Sequence, residues 1–205
     1  STILEARRWK LPPSRWINKS TQNLKAFMYE NQTAVVVGLK FFYQSWNHRK
    51  SVLPVNNRYK ANGYILFPNE KDIEESLKKS AGHSILIVGW DDELSVPMVD
   101  EKGEQILDEE GNPKMETGFF LFKNSWGTAS FGTLNPFGAG YGWLSMRYVE
   151  EYGSAVSARP PTENFKEICD DGLDNNFDGS FDCDDIACAD VASCIPTPEA
   201  VNLDF

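Results

Sequence analysis

At 205 residues, with 41% hydrophobic and 13% aromatic side chains, the sequence holds enough apolar material for one sizeable core, which excludes a wholly disordered chain. The formal charge of -10 is concentrated at one end: residues 163–205 carry 12 Asp/Glu against one Lys, so residues 1–162 are left at +1. A neutral body without a basic stripe, followed by an acidic tail, excludes nucleic acid as a partner. The apolar runs at 34–39 and 84–90 fall far short of the ~20 residues of a membrane helix, so no membrane span is expected.

In chain order, residues 12–20 read as irregular. Ser20 or Thr21 then caps a helix through "TQNLKAFMYEN", in which Leu24, Phe27 and Met28 share one face. The β-branched "TAVVVGLKFF" predicts a strand buried on both faces or nearly so, and "NEKDIEESLKKS" at 69–80 a solvated helical turn or loop. "HSILIVGWDD" is a second strand, "GFFLFKNSW" at 118–126 a third and "GYGWLSMRYV" at 140–149 a fourth. Between the second and third, Gly103 and the "EEGNPK" group mark turns of an inserted β-ribbon at about 93–116.

The pattern predicts an antiparallel β-rich α+β domain over 1–157, a proline-bearing linker at 158–165, a Cys/Asp-rich module at 166–196 and a tail at 197–205. All four cysteines, Cys169, Cys183, Cys188 and Cys194, lie in that module, as in disulfide-linked modules of oxidising compartments. The expected location is therefore secreted, periplasmic or extracellular. Four cysteines allow three connectivities, and the favoured one joins Cys169 to Cys183 and Cys188 to Cys194. The chain opens on Ser1 with no initiator Met and no signal peptide, which reads as a processed product of a longer precursor.

"DNNFDGSFDCDD" at 174–185 sets oxygen donors at the positions of an EF-hand-type calcium loop. Asp174, Asn176, Asp178, Ser180, Asp182 and Asp185 are its candidate ligands, with Gly179 at the sharp turn. Asp rather than Glu at the last position, and no helix of normal length beside it, make the loop resemble thrombospondin type 3 repeats or Cys/Asp-rich modules of secreted bacterial proteins. A structural Ca²⁺ site is expected, not a switch.

In the body, "GHSILIVGWDD" places His83 at the head of an apolar strand, one of two histidines in the chain beside His48. A catalytic imidazole needs a partner that fixes its ring, and the "KNSWG" of 123–127 offers the amide of Asn124, with Trp126 two residues on to keep water from the pair.

"GHSILIVGWDD", "GFFLFKNSWG" and "GYGWLSM", in this order, resemble the C-terminal half of the papain-like cysteine proteases, and the resemblance extends back through "NLKAFMYENQTAVVVGL". It covers roughly residues 15–155. It implies the right-hand domain of that fold, an antiparallel β-barrel with a leading helix. It also implies that His83 is the general acid/base, that Asn124 orients it and that Trp126 shields both. The family's nucleophile is a Cys on a helix of the other half, with a Gln upstream of it in the oxyanion hole, and no such Gln-then-Cys segment is found before residue 169. The resemblance therefore implies a two-chain cysteine endopeptidase, made by cleavage of a zymogen, in which a separate Cys-bearing N-terminal chain of the same precursor is the partner, proteins or peptides are the substrates and catalysis needs no cofactor. The alternative is an inactive homologue that acts as a binding or inhibitory module. Two departures stand out: the ribbon at 93–116 lengthens the His83–Asn124 interval, and "ASFGTLNPFGAG" replaces a short Trp-Gly segment after "NSWGT".

Overall fold

The computed structural model describes residues 15–157, 167–172 and 180–195. They belong to two compact units, one formed by Arg15–Ser157 and the other drawn from the remainder of the chain.

The first unit is a mixed α/β body. Its strands are β1 (Arg15–Ile17), β2 (Val35–Lys40), β3 (Tyr64–Ile65), β4 (Gly82–Pro97), β5 (Met115–Lys123), β6 (Tyr141–Ser145) and β7 (Gly153–Ser157). They form one sheet in the order β1-β7-β2-β4-β5-β6-β3, antiparallel except for β3 against β6. Four helices accompany them: α1 (Thr21–Asn31), α2 (Asn57–Asn62), α3 (Glu70–Leu77) and α4 (Met146–Tyr152).

Local chemistry sets the helix ends. The Ser20 hydroxyl accepts the Asn23 N–H at the start of α1, which turns its Leu24 and Met28 into the core. At 69–80 the helical alternative holds, as a full two-turn helix over Glu70–Leu77 whose outer side is exposed. Asn69 caps α3, and Asp72 and Ser76 are buried against the 41–46 segment rather than facing water. Asp72 accepts the backbone N–H groups of Gln44 and Ser45 and the hydroxyls of Ser45 and Ser76, so a buried carboxylate stitches the helix to that segment.

Burial runs differently from the sequence pattern in two strands. In β2 only Val35, Val37 and Leu39 enter the core; Val36 and Lys40 are exposed on the other face. The strand buried on both faces is β5: Phe120 and Phe122 join the main core with Leu24, Ile85 and Ile87, while Phe119 and Leu121 join a second group with Tyr59, Leu66, Val96 and Trp143. A fourth strand running through 149 is corrected as well. It stops at Ser145, whose hydroxyl accepts the Tyr148 N–H and starts α4, and the chain then returns as β7. The inserted ribbon continues the β4–β5 hairpin, with bridges Val99–Gln105 and Leu107–Pro113 folding it back on itself.

In the described part of the second unit, two 3₁₀ turns, Asp182–Asp184 and Ile186–Cys188, lie among two disulfides. The bridges are Cys169–Cys188 and Cys183–Cys194. This corrects the expected pairing of near neighbours: the two turns bring residues 19 and 11 positions apart together, a through-space outcome that spacing along the chain does not encode.

Candidate active site

His83 sits one residue into β4, paired across the sheet with Leu39 of β2, and its ring lies on the core side with Ile85 and Ile87. Asn124 is the first residue past the end of β5. The two strand ends are adjacent because Leu86 of β4 pairs with Lys123 of β5. A contact between residues 41 positions apart is thus set by strand register.

His83 Nε2 lies 2.8 Å from Asn124 Oδ1. That oxygen also accepts the Ser125 N–H at 2.8 Å, which fixes the amide with its oxygen toward the ring. An amide oxygen only accepts, so Nε2 carries the proton and Nδ1 is the nitrogen left for proton exchange. Asn124 is buried, and its Nδ2 has no hydrogen-bond partner among the described residues.

Aromatic rings enclose the pair. Trp126 lies across the imidazole with centroids 4.9 Å apart and planes tilted by 31°, and Trp46 meets the same ring edge-on at 5.1 Å. Phe131, fully buried, packs edge-on to Trp126 at 5.7 Å. Phe131 comes from the long "ASFGTLNPFGAG" segment, which also returns Gly140 to accept the Asn124 N–H at 3.0 Å. Gly140 has φ +89°, and a Cβ there would meet Gly127 O at 3.0 Å, so this return needs glycine.

Sequence reasoning missed the support beneath this site. The fully buried Trp46 donates its indole N–H to the Tyr148 hydroxyl, and that hydroxyl donates to Lys40 O. Tyr148 on α4 thereby holds Trp46 against His83, and burial pushes the Tyr148 phenol far above its ordinary range. The "FFYQSW" run at 41–46 is core, with Phe41, Phe42 and Trp46 buried; its aromatic density was the available signal. His48 packs 5.8 Å from Trp126, and its Nδ1 accepts the Lys50 N–H. Burial, then Lys50, Arg49 and Lys60, lower its pKa and so disfavour its charged form.

Beside His83 runs an open groove of about 640 Å³. Gly38, Gly82, Ser84 and Gly153 line it, with Lys40 and Glu151 also at its walls. Gly82 and Ser84, which flank His83 in sequence, both face this groove.

Of the candidate calcium ligands, Asp174, Asn176 and Asp178, with the turn residue Gly179, lie outside the described residues. Asp182, at φ 51°, accepts the N–H groups of Asp171 and Gly172, and the buried Asp185 accepts the Ala187 N–H. Ser180 opens the segment that leads into these turns. Among the described residues no cluster of three or more His, Cys, Asp or Glu side chains is arranged to hold a metal ion.

The body is therefore an α+β domain that carries an imidazole–amide pair with one imidazole nitrogen left over, roofed by indole. Among solved structures the chain is similar to xylellain, a cysteine protease from Xylella fastidiosa, at 18% identity with a TM-score of 0.43. The alignment covers 77% of this chain and 43% of that one, so the chain spans less than half the length of that structure. No protein-family model and no curated protein matches the chain.

Proposed function

We propose that this chain supplies the acid–base half of a papain-like cysteine endopeptidase. The observation that carries the reading is the 2.8 Å contact between His83 Nε2 and Asn124 Oδ1, with that oxygen pinned by the Ser125 N–H, because it fixes the tautomer that leaves Nδ1 facing a reaction partner. All four cysteines are in disulfides, so the 205 residues offer no thiol. The nucleophile and the oxyanion donors are supplied by a second polypeptide chain, an upstream product of the same precursor.

In this chemistry Nδ1 takes the proton of the partner's thiol, giving a thiolate and an imidazolium. The thiolate sulfur bonds to the scissile carbonyl carbon and the imidazolium returns its proton to the leaving amine as the C–N bond breaks. His83 next takes a proton from water, whose oxygen attacks the thioester carbon and releases the carboxylic acid and the thiol. Asn124 holds the ring in one orientation through both transfers, and Trp126 keeps water from competing for Asn124 Oδ1.

The test uses material from the native source. Intact-mass analysis with iodoacetamide at neutral pH is expected to reveal a co-purifying chain with one rapidly alkylated thiol, and the alkylated complex should lose peptide hydrolysis. Absence of any such chain, with no labelling, overturns the reading.

The acidic module serves stability in an oxidising, extracytoplasmic setting. Its two disulfides support that location. Its structural ion is Ca²⁺, on the strength of the donor spacing from Asp174 to Asp185. Chelation is expected to speed proteolysis within 165–195; an unchanged cleavage rate would remove calcium from the account.

A further inference from the structure

The inserted ribbon does not stand free of the body. At its root Val99 packs against the core group of Tyr59 and Leu66, and the Tyr59 hydroxyl donates to Pro97 O at 2.7 Å. At its tip the Asp100 carboxylate accepts the Lys102 and Glu104 N–H groups and shapes a turn. One buried side chain fastens that turn. Gln44, 5% exposed, donates its Nε2 protons to Pro54 O at 2.9 Å, Glu101 O at 3.0 Å and Asp100 O at 3.3 Å. Its Oε1 accepts from Asn69 Nδ2 at 2.8 Å, so both ends of the amide are paired in the interior, where an unpaired polar group is costly.

Gln44 belongs to the turn that carries Trp46. The Trp46 N–H donates to Phe42 O, the Asn47 N–H to Gln44 O and the His48 N–H to Tyr43 O, which closes residues 42–48 into one unit. Asp72 accepts the N–H groups of Gln44 and Ser45, and the Tyr148 hydroxyl accepts those of Phe42 and the Trp46 indole. On the side toward the site, Trp46 meets the His83 ring edge-on at 5.1 Å, and Phe41 stacks on Trp46 at 5.2 Å. The turn therefore faces two ways, with rings against the imidazole and an amide in the ribbon tip.

A histidine ring turns about a broad, roughly two-fold torsion, and its single hydrogen bond to Asn124 leaves its tilt to the surfaces packed on it. Closely packed interiors transmit displacement, so slack at Gln44 becomes slack under His83. We propose that Gln44 is a positioning residue and the inserted ribbon its anchor: the ribbon tip holds the 42–48 turn, and the turn holds the His83 ring in the plane that keeps Nε2 on Asn124. The kinetic consequence rests on the peptidase reading above; the order of the ring is a property of this chain alone.

The experiment uses the 205-residue protein with isotope-labelled histidine. There are two histidines, and His83→Ala identifies the His83 signals in the nuclear magnetic resonance spectrum. Exchange of the His83 Hε2 proton with water is measured well below the melting temperature of each form. One variant is Gln44→Leu. The other keeps Gln44 and replaces residues 99–113 with an Asn-Gly hairpin turn between Met98 and Lys114, whose backbones already pair. Met28→Ala, beside Trp90 at the far end of β4, is the control for lost stability. Exchange is expected to be roughly tenfold faster or more in both test variants and unchanged in the control. In the assembled enzyme Gln44→Leu should lower kcat about tenfold with KM nearly unchanged. Unchanged exchange in the shortened ribbon, or equally fast exchange in Met28→Ala, overturns the proposal and leaves the peptidase reading intact. Faster exchange with an unaltered kcat overturns the positioning role. If the unmodified assembled protein hydrolyses no peptide, the peptidase reading fails while the exchange result still decides whether the ribbon orders the ring.

Discussion

The body and the Cys/Asp-rich module reach order by opposite routes. The body buries aromatic rings on both faces of β5, needs no crosslink, and holds the His83 imidazole at the head of a strand. The module's described residues bury one apolar-type side chain, Cys188, and hold their shape through two disulfides and Asp side chains that accept backbone N–H groups. A segment too small and too charged to build a core substitutes covalent closure for burial. The lesson for function is that the body's chemistry depends on packing precision, while the module's persistence depends on redox state.

The largest effect expected is on chemistry. His83→Ala should lower peptide hydrolysis by the assembled enzyme about 10²–10⁴-fold with the melting temperature of the body nearly unchanged. Near-normal turnover would mean that the body's aromatic enclosure serves folding alone. Next in size, Phe120→Ala removes a fully buried ring from β5 and should destabilise the body by about 3–5 kcal/mol, read by denaturant unfolding, without altering proteolysis of the module.

Reduction with a phosphine should do the reverse. Losing Cys169–Cys188 and Cys183–Cys194 is expected to cost the module ~2–4 kcal/mol and to expose it to protease, with the body's melting unmoved. A parallel fall in both would erase the contrast between the two regions. Asp72→Ala tests the polar exception inside the body: four donors lose their acceptor, and a cost of about 1–3 kcal/mol is expected, seen as a lower denaturant midpoint.

The smallest effect is one of pH. Burial raises the pKa of Glu116, against the opposing bonds from Ser145 and the Phe67 N–H and the nearby Arg147 charge. Its folded pKa lies above its unfolded one, so its contribution is fully present below the unfolded value and is lost as pH rises through the folded one. Glu116→Gln should therefore gain stability relative to the native protein as pH increases through the acid range, measured by melting at several pH values. A constant difference would show that the carboxyl is already paired well enough to offset its burial.

The legible parts of the fold were those written in short stretches. The Ser20 cap, the amphipathic turn of Leu24 and Met28, and the apolar run in "HSILIVGW" each depend on neighbours a few residues apart. The helical reading of α3 held, but its buried side was not legible, because Asp72 and Ser76 look like solvent-facing polar residues and only their burial against Gln44 and Ser45 shows otherwise. The strand at 140–149 was read too long because Ser145 looks like a strand residue until its hydroxyl caps Tyr148. In the site, His83, Asn124 and Trp126 were named from two local segments, whereas Trp46 and Tyr148 were not, since a buried aromatic in a run of aromatics carries no mark of which ring it will touch.

By itself the sequence determined which chemical groups this protein has to work with: one imidazole at a strand head, one amide at a strand end, an indole after it, and cysteines confined to an acidic tail. The tertiary structure alone decided which of them meet. Strand register between β4 and β5 sets the His83–Asn124 contact, and the 3₁₀ turns choose the disulfide partners. The physical reason is range: caps and periodicity act over one or two turns of chain, whereas register, pairing and exposure are set by distances between residues far apart in sequence.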